Sequence, residues 1–246
     1  MKRLGLFIIP YAVFSILLVI CPLVTIGVNA FLDENGSFTL ENFANLGSPE
    51  VRLTLLYSFA VAIRVTVLCL LLCYPAAYFL SRKKLGFSQQ ISLLFILPMG
   101  INMLLYTFST VAVLDFLKIP PGRFALIIGL IINSMPFMMQ PLYNCLSKIG
   151  SQYEEASADL GAGRLMTFFR VTVPLSMPGI ISGVSMVLFP SLSTFAISEL
   201  LTMNKVRLFG SVIESAFSSG LIGYGSAMSI LMLALILLTQ LLDRRK

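Results

Sequence analysis

The chain has 246 residues, of which 57% are hydrophobic and only 11% are charged, and its mean hydropathy is +0.93. Because soluble domains carry about a quarter charged residues, this composition excludes a soluble domain and predicts a polytopic membrane protein with a single domain over residues 1–246. The formal net charge of +6 comes from short basic clusters between apolar runs, which indicates topology signals rather than a nucleic-acid surface.

Six apolar runs reach or approach the ~20 residues that cross the hydrocarbon core of a bilayer. They lie at about residues 6–31, 53–80, 91–116, 124–146, 175–201 and 224–242. Because only helices satisfy their backbone polar groups within one segment in lipid, the predicted fold class is an all-α membrane protein with six transmembrane helices. The first run continues from residue 4 to residue 30. A signal peptide has a shorter apolar region of about 7–15 residues, so we expect an uncleaved helix.

Lys and Arg lie mostly in the loops that share a side with the N-terminus, while Arg64 lies within the second run. The positive-inside rule therefore predicts that both termini and the loop at residues 147–173 are cytoplasmic. The opposite loops lean acidic, with Asp33, Glu41 and Glu50 in the first of them. These carboxylates serve solubility, or they favour a cationic solute or a basic docking partner, and the sequence leaves both readings open.

Apolar residues recur at helical spacing between the fifth and sixth runs, from Phe209 to Phe217. This periodicity predicts a short amphipathic helix on the outer side of the membrane. The helix could lie on the membrane surface or pack on the bundle, and the sequence does not choose between these positions.

The sequence contains no catalytic constellation. It has no histidine, no Gly-rich phosphate loop followed by Lys and Ser or Thr, and no nucleophile elbow. The four cysteines lie within apolar runs at spacings that match no zinc or redox motif, so we expect them to be small core residues. They are Cys21, Cys69, Cys73 and Cys145. We therefore expect no enzyme activity, no metal site and no cofactor bound by this chain.

The longest polar interval covers residues 151–178, with the sequence SQYEEASADLGAGRLMTFFRVTVPLSMP. Within it, the triplet Glu155-Ala156-Ser157 is followed by Gly161 and then by an ending of the form Val-x-Val-Pro at residues 171–174. This spacing resembles the EAA loop of ABC importer permeases, in which a Glu-Ala-Ala triplet precedes a glycine and an apolar-x-apolar-Pro ending. Ser157 stands here in place of the second alanine.

In that family the loop forms a short coupling helix that sits in a groove of a cytoplasmic ATPase subunit. The resemblance implies that the ATPase contacts of this chain are Tyr153, Glu154, Glu155, Ala156, Ser157, Leu160, Gly161 and Arg164. The small triplet residues would allow a close approach, and Gly161 would permit a turn that most residues resist. The two glutamates would complement the helix dipole and meet Arg or Lys of the partner.

Further segments resemble the spermidine/putrescine-type permease subunits of the same superfamily. They are Tyr74-Pro75-Ala76-Ala77-Tyr78, Met135-Pro136-Phe137, Pro141-Leu142-Tyr143, Ser198-Glu199-Leu200-Leu201 and residues 209–213. The resemblance implies a type I ABC importer permease fold in the bacterial inner membrane, surrounded by lipid and without a nucleic-acid partner. The implied partners are a second permease subunit, identical or different, an external solute-binding protein, and two cytoplasmic ATPase subunits that bind ATP and Mg. A permease for ferric iron, thiamine or sulfate, a secondary transporter and a non-transporting scaffold stay open as alternatives.

Polar and aromatic residues in or near the spans are candidates for the substrate path, because ionisable groups in lipid are costly. They are Glu199, Phe195, Thr194, Tyr106, Asp115 and Glu214. Pro190 and the serines after it would weaken the fifth helix, as in the discontinuous helices of transporters. Glu199 would pair with a substrate ammonium group or reach interfacial water. For Arg64, a structural ion pair, a changed substrate and a contact with a partner subunit stay open.

Overall fold

The computed structural model describes residues 2–33, 36–82 and 97–243. Its helices in chain order are α1 (Lys2–Asn29), α2 (Glu41–Ala44), α3 (Pro49–Arg82), α4 (Met103–Phe116), α5 (Arg123–Leu146), α6 (Gln152–Asp159), α7 (Arg164–Thr167), α8 (Met177–Ser193), α9 (Ala196–Thr202), α10 (Phe209–Ser218) and α11 (Ile222–Asp243). A π-helical turn (Phe168–Thr172) and a short helical segment (Val173–Leu175) connect α7 to α8. The predicted all-α class is confirmed, since the described residues contain one isolated bridge, Leu32 with Phe38, and otherwise helices and turns.

Three described helices are long and apolar enough to cross a membrane, namely Pro49–Arg82, Arg123–Leu146 and Ile222–Gln240. A fourth crossing results if Arg164–Leu175 and Met177–Ser193, which are bent by 65° at their junction, form one span. The apolar helices Val13–Asn29 and Met103–Phe116 are shorter. The predicted third span begins at residues 91–96, which lie outside the described residues.

Two compact units divide the chain, one formed by residues 1–55 with 209–246 and the other by residues 56–208. In the first unit, α1 and α10 both pack on α11. The predicted helix between Phe209 and Phe217 is thus confirmed as α10, and it packs on a neighbouring helix. The Asn42 amide donates hydrogen bonds to the carbonyls of Ala30 (3.1 Å) and Leu32 (3.0 Å), which fixes the chain just after α1.

In the second unit, a stripe of small side chains on α3 packs into the core with α5. Cys69 and Cys73 are fully buried, and their thiols donate weak hydrogen bonds to the carbonyls of Ile131 and Met135, each at 3.7 Å. The prediction of small core residues is confirmed for these two cysteines. Cys21 is exposed and Cys145 is half-buried.

The packing of α8 on α5 depends on two glycines one helical turn apart. A Cβ atom at Gly179 would lie 2.5 Å from the Cβ of Cys145, and one at Gly183 would lie 2.7 Å from the sulfur of Met138. Small residues at this spacing let two backbones approach closely, which is the main source of helix association where no hydrophobic effect operates. These glycines position the fifth predicted span against the fourth.

We predict that Gly179→Ala lowers the free energy of unfolding by about 1–3 kcal/mol, because the added methyl group overpacks the contact between α8 and α5. The measurement is the Tm of the purified protein in detergent. Gly27→Ala is the matched control, since no atom lies within 4 Å of a Cβ built at that helical glycine. Equal Tm values for the two variants would contradict the packing role of Gly179.

Candidate functional site

The loop that resembles the EAA loop begins with helix α6, which ends in a Schellman motif. The Gly161 amide donates to the carbonyl of Ala158 (2.8 Å) and the Ala162 amide donates to that of Ser157 (3.0 Å). Gly161 has a φ of +79°, in the left-handed region where a Cβ atom is strained. The predicted turn at Gly161 is therefore confirmed, and it is what ends α6.

One side of this loop is open to contact by another molecule. Leu160 is 89% exposed and Tyr153 is 46% exposed, and Glu155, Ala156 and Arg164 are exposed as well. Tyr153, Ala156 and Leu160 follow each other at spacings of three and four residues and so share a face of α6. Leu160 and Tyr153 thus form an exposed apolar patch on this face.

Glu154 points inward, in contrast to Glu155. Its Oε1 atom forms an ion pair with Nη2 of Arg82 (2.7 Å) and accepts hydrogen bonds from the hydroxyls of Tyr78 (3.2 Å) and Thr172 (3.3 Å). The Arg82 guanidinium also donates to the carbonyl of Ile149 (3.0 Å) and lies 5.5 Å from the centre of the Tyr78 ring. The Glu154 carboxylate thus ties α6 to the end of α3. The expected contact of Glu154 with Arg or Lys of a partner stays a prediction.

Ser157 also turns into the protein. It is 8% exposed, and its hydroxyl shares a 3.0 Å hydrogen bond with that of Thr167. This contact joins α6 to α7 across the Gly161 turn. The Ser157 side chain is therefore packed within the loop itself, and its contact with a partner stays a prediction.

A stripe on α3, formed by Tyr74, Tyr78 and Arg82, supports the whole loop. The Phe168 ring meets the rings of Tyr74 and Tyr78 edge-on, with centroids 5.7 and 5.3 Å apart. The Tyr74 hydroxyl shares a 2.7 Å hydrogen bond with Ser176, the residue at the 65° bend before α8. Sequence reasoning named Tyr74 and Tyr78 only as part of a family-like segment and missed that they share a helix face with Arg82, although their spacing of four residues marks one face.

A second candidate region is the break between α8 and α9. Helix α8 ends at Ser193, Thr194 is extended with a ψ of 136°, and α9 starts at Ala196. The predicted weakening of the fifth span is therefore confirmed, although Pro190 itself lies within α8.

Next to the break lies a cavity of about 180 Å³. Two residues predicted for the substrate path, Tyr106 and Thr194, line it. Asn133, Ser134 and Ser191 line it too, and sequence reasoning missed them because neutral polar residues in apolar runs carry little signal. Among the described residues, the buried hydroxyls of Ser191 and Thr194 have no hydrogen-bond partner.

The other residues predicted for the path do not line this cavity. Phe195 is exposed, and Glu199 is half-buried in the first turn of α9. Asp115 is exposed near the end of α4. Glu214 belongs to the other unit, where it accepts a 2.6 Å hydrogen bond from Ser218. The arrangement therefore brings only Tyr106 and Thr194 of the predicted set together.

Comparison with known proteins gives the family. Residues 73–246 match the family described as "Binding-protein-dependent transport system inner membrane component". The chain is 34% identical over 239 residues to the spermidine/putrescine transport system permease protein PotB of Haemophilus influenzae, covering 87% of this chain and 84% of that protein. It is 34% identical over 197 residues to PotB of Escherichia coli, covering 73% and 72%. A PotB homolog of Mycoplasma genitalium is 26% identical over 234 residues, covering 89% and 81%.

The fold also matches a solved structure. The crystal structure of a bacterial ABC transporter involved in the import of the acidic polysaccharide alginate contains a chain that superposes with a TM-score of 0.65. The match covers 99% of this chain and 96% of that chain at 15% sequence identity, so it supports the fold alone. By its sequence match over residues 73–246 and its 34% identity to permease relatives over most of its length, the chain belongs to the family of binding-protein-dependent transport system inner membrane components.

Proposed function

We propose that this chain is the transmembrane permease subunit of an ATP-driven ABC importer of polyamines such as spermidine and putrescine. The observation that carries the proposal is the 34% identity, over 87% of the chain, to a protein described as a spermidine/putrescine permease. The family supplies the transport role, and the polyamine cargo follows from the relatives.

We further propose six crossings of the bacterial inner membrane, with both termini and the loop of α6 in the cytoplasm. The excess of Lys and Arg on that side supports this orientation. The partners are a second permease subunit, an external binding protein that delivers the solute, and two ATPase subunits. Hydrolysis of ATP, with its Mg ion, takes place on those ATPase subunits.

Movement of the ATPase subunits is coupled to transport through α6. Its exposed face, with Tyr153 and Leu160, docks in a groove of the ATPase. The Glu154–Arg82 ion pair transfers displacement of α6 to α3, and the Tyr74–Ser176 hydrogen bond links α3 to the start of α8. ATP binding then shifts the population between inward-open and outward-open states, because the ATPase dimer holds α6 differently in each.

The cargo assignment predicts ATP-dependent uptake of radiolabelled putrescine and spermidine by the complete importer in proteoliposomes. Thiamine, ferric iron and sulfate serve as competing solutes and should not reduce this uptake. Uptake of one of these solutes in place of polyamines would overturn the cargo. Uptake that an ion gradient drives without ATP would overturn the transporter class.

Gly161→Ala should strain the end of α6 by about 1–2 kcal/mol, because it puts a Cβ atom at a φ of +79°. A change of this size lowers the population of the docked conformation roughly 5- to 30-fold. We expect less ATPase subunit to co-purify with the variant. Gly163→Ala is the control, since Gly163 has a φ of −69° and open space around it. Equal co-purification of both variants would argue against docking at this turn.

Glu154→Gln and Glu155→Gln should have different effects, although the residues are neighbours. Loss of the half-buried Glu154–Arg82 ion pair costs about 1 kcal/mol, and we expect about a fivefold fall in solute imported per ATP hydrolysed. Because Glu155 is exposed, Glu155→Gln should change only the concentration of ATPase subunit that assembly of the complex requires. Uptake and hydrolysis are measured in the same vesicles, and Arg82→Gln should reproduce the Glu154 result. Identical behaviour of the two glutamate variants would contradict the link to α3.

A further inference from the structure

The hydroxyls of Ser191 and Thr194 are unusual among the polar groups of the second unit. Ser191 is 3% exposed and Thr194 is 7% exposed, and within the described residues neither hydroxyl oxygen has a hydrogen-bond partner. Other buried hydroxyls of this unit are satisfied, for example Thr107 and Thr110 by carbonyls of their own helix. Buried polar groups without a partner are rare in native structures and require an explanation. Both hydroxyls line the cavity at the break between α8 and α9, which points to a ligand.

The electrostatics of the cavity favour a cation over an anion. Helix α8 ends at Ser193, and the C-terminal end of a helix carries a partial negative charge. Asn133 donates its amide N–H to the carbonyl of Gly129, which leaves its own side-chain oxygen as an acceptor toward a ligand. None of the described residues that line the cavity is charged. The lining therefore offers no cationic side chain to a phosphate or sulfate, but it offers the side-chain oxygens of Asn133, Ser191 and Thr194 to an N–H donor.

The size and the remaining lining indicate which cation fits. A volume of about 180 Å³ lies below the ~300–1,000 Å³ of pockets for drug-sized ligands, so the cavity suits one small group and its neighbouring atoms. Met99, Met103 and Met186 line it together with Ile197. Methionine side chains adapt to flexible apolar chains. The hydroxyls would accept hydrogen bonds from an ammonium group, and the methionines would pack against the methylene chain that carries it.

We infer that this cavity binds one terminal ammonium group of a substrate and its adjoining methylene groups, with Ser191 and Thr194 as acceptors. The inference rests on the proposed polyamine import and adds a site to it. A primary ammonium has three N–H donors, and neutral oxygens satisfy them without the strong hold of a carboxylate. Weak binding suits a site on a transport path, because a solute must leave it as readily as it enters.

The test is uptake of putrescine by the complete importer with Ser191→Ala, Thr194→Val or both substitutions. Removing one acceptor from a charged group should raise the KM for uptake about tenfold. Ser193→Ala is the control, because Ser193 is exposed at the same break and its hydroxyl donates to the carbonyls of Phe189 and Pro190. The Ser193→Ala variant should keep the wild-type KM and the wild-type rate of ATP hydrolysis stimulated by the loaded binding protein.

A second measurement reports binding directly. Thr194→Cys, in a chain whose four native cysteines are replaced, is treated with a cationic methanethiosulfonate reagent in the assembled complex. Putrescine should slow the modification, and butanol, which lacks the ammonium, should not. If wild-type importer takes up putrescine but the variants behave like Ser193→Ala, the inference fails while the proposed function stands. If wild-type importer takes up no polyamine, the proposed function fails, and protection of Thr194→Cys by putrescine then decides the inference alone.

Discussion

One carboxylate oxygen holds the polar loop of this protein to its apolar helices. Oε1 of Glu154 forms an ion pair with Arg82 and accepts hydrogen bonds from Tyr78 and Thr172. Two parts of the loop and the end of α3 therefore meet at one atom. Helix α6 has only two turns and would be marginal by itself in water. Its position therefore depends on tertiary contacts, and those of Glu154 are polar because Gln152–Asp159 has few apolar residues to bury.

Away from the Glu154 contacts, the helices are held together by close backbone packing. Gly179 and Gly183 bring α8 against α5, and the buried thiols of α3 contact backbone carbonyls of α5. Where hydroxyls occur in this region, most are satisfied by carbonyls of their own helix. The hydroxyls of Ser191 and Thr194, which have no hydrogen-bond partner among the described residues, lie where helix α8 ends. Both line the cavity at this break in the helix.

Sequence reasoning was successful where one residue type has one structural consequence. Gly161 predicted a left-handed turn, and Pro190 with its serines predicted a weak helix. It failed to distinguish Glu154 from Glu155, because two identical neighbours differ only by about 100° around a helix. Which of them faces inward depends on where α3 lies, and that is a property of the folded chain. Of the predicted path residues, only the neutral Tyr106 and Thr194 line the cavity, and its other polar residues, Asn133, Ser134 and Ser191, look ordinary in sequence.

Because the chain bends at Ser176, the segment before it is a lever arm for α8. Residues Arg164–Leu175 form an arm roughly 18 Å long, at 65° to the span that follows. A turn of about 10° at the joint swings the far end of such an arm by roughly 3 Å. The reverse holds as well: a push of a few ångströms at the loop becomes a rotation at the foot of α8. In the proposed coupling, this geometry turns a displacement of Arg164–Leu175 into a rotation at the start of α8.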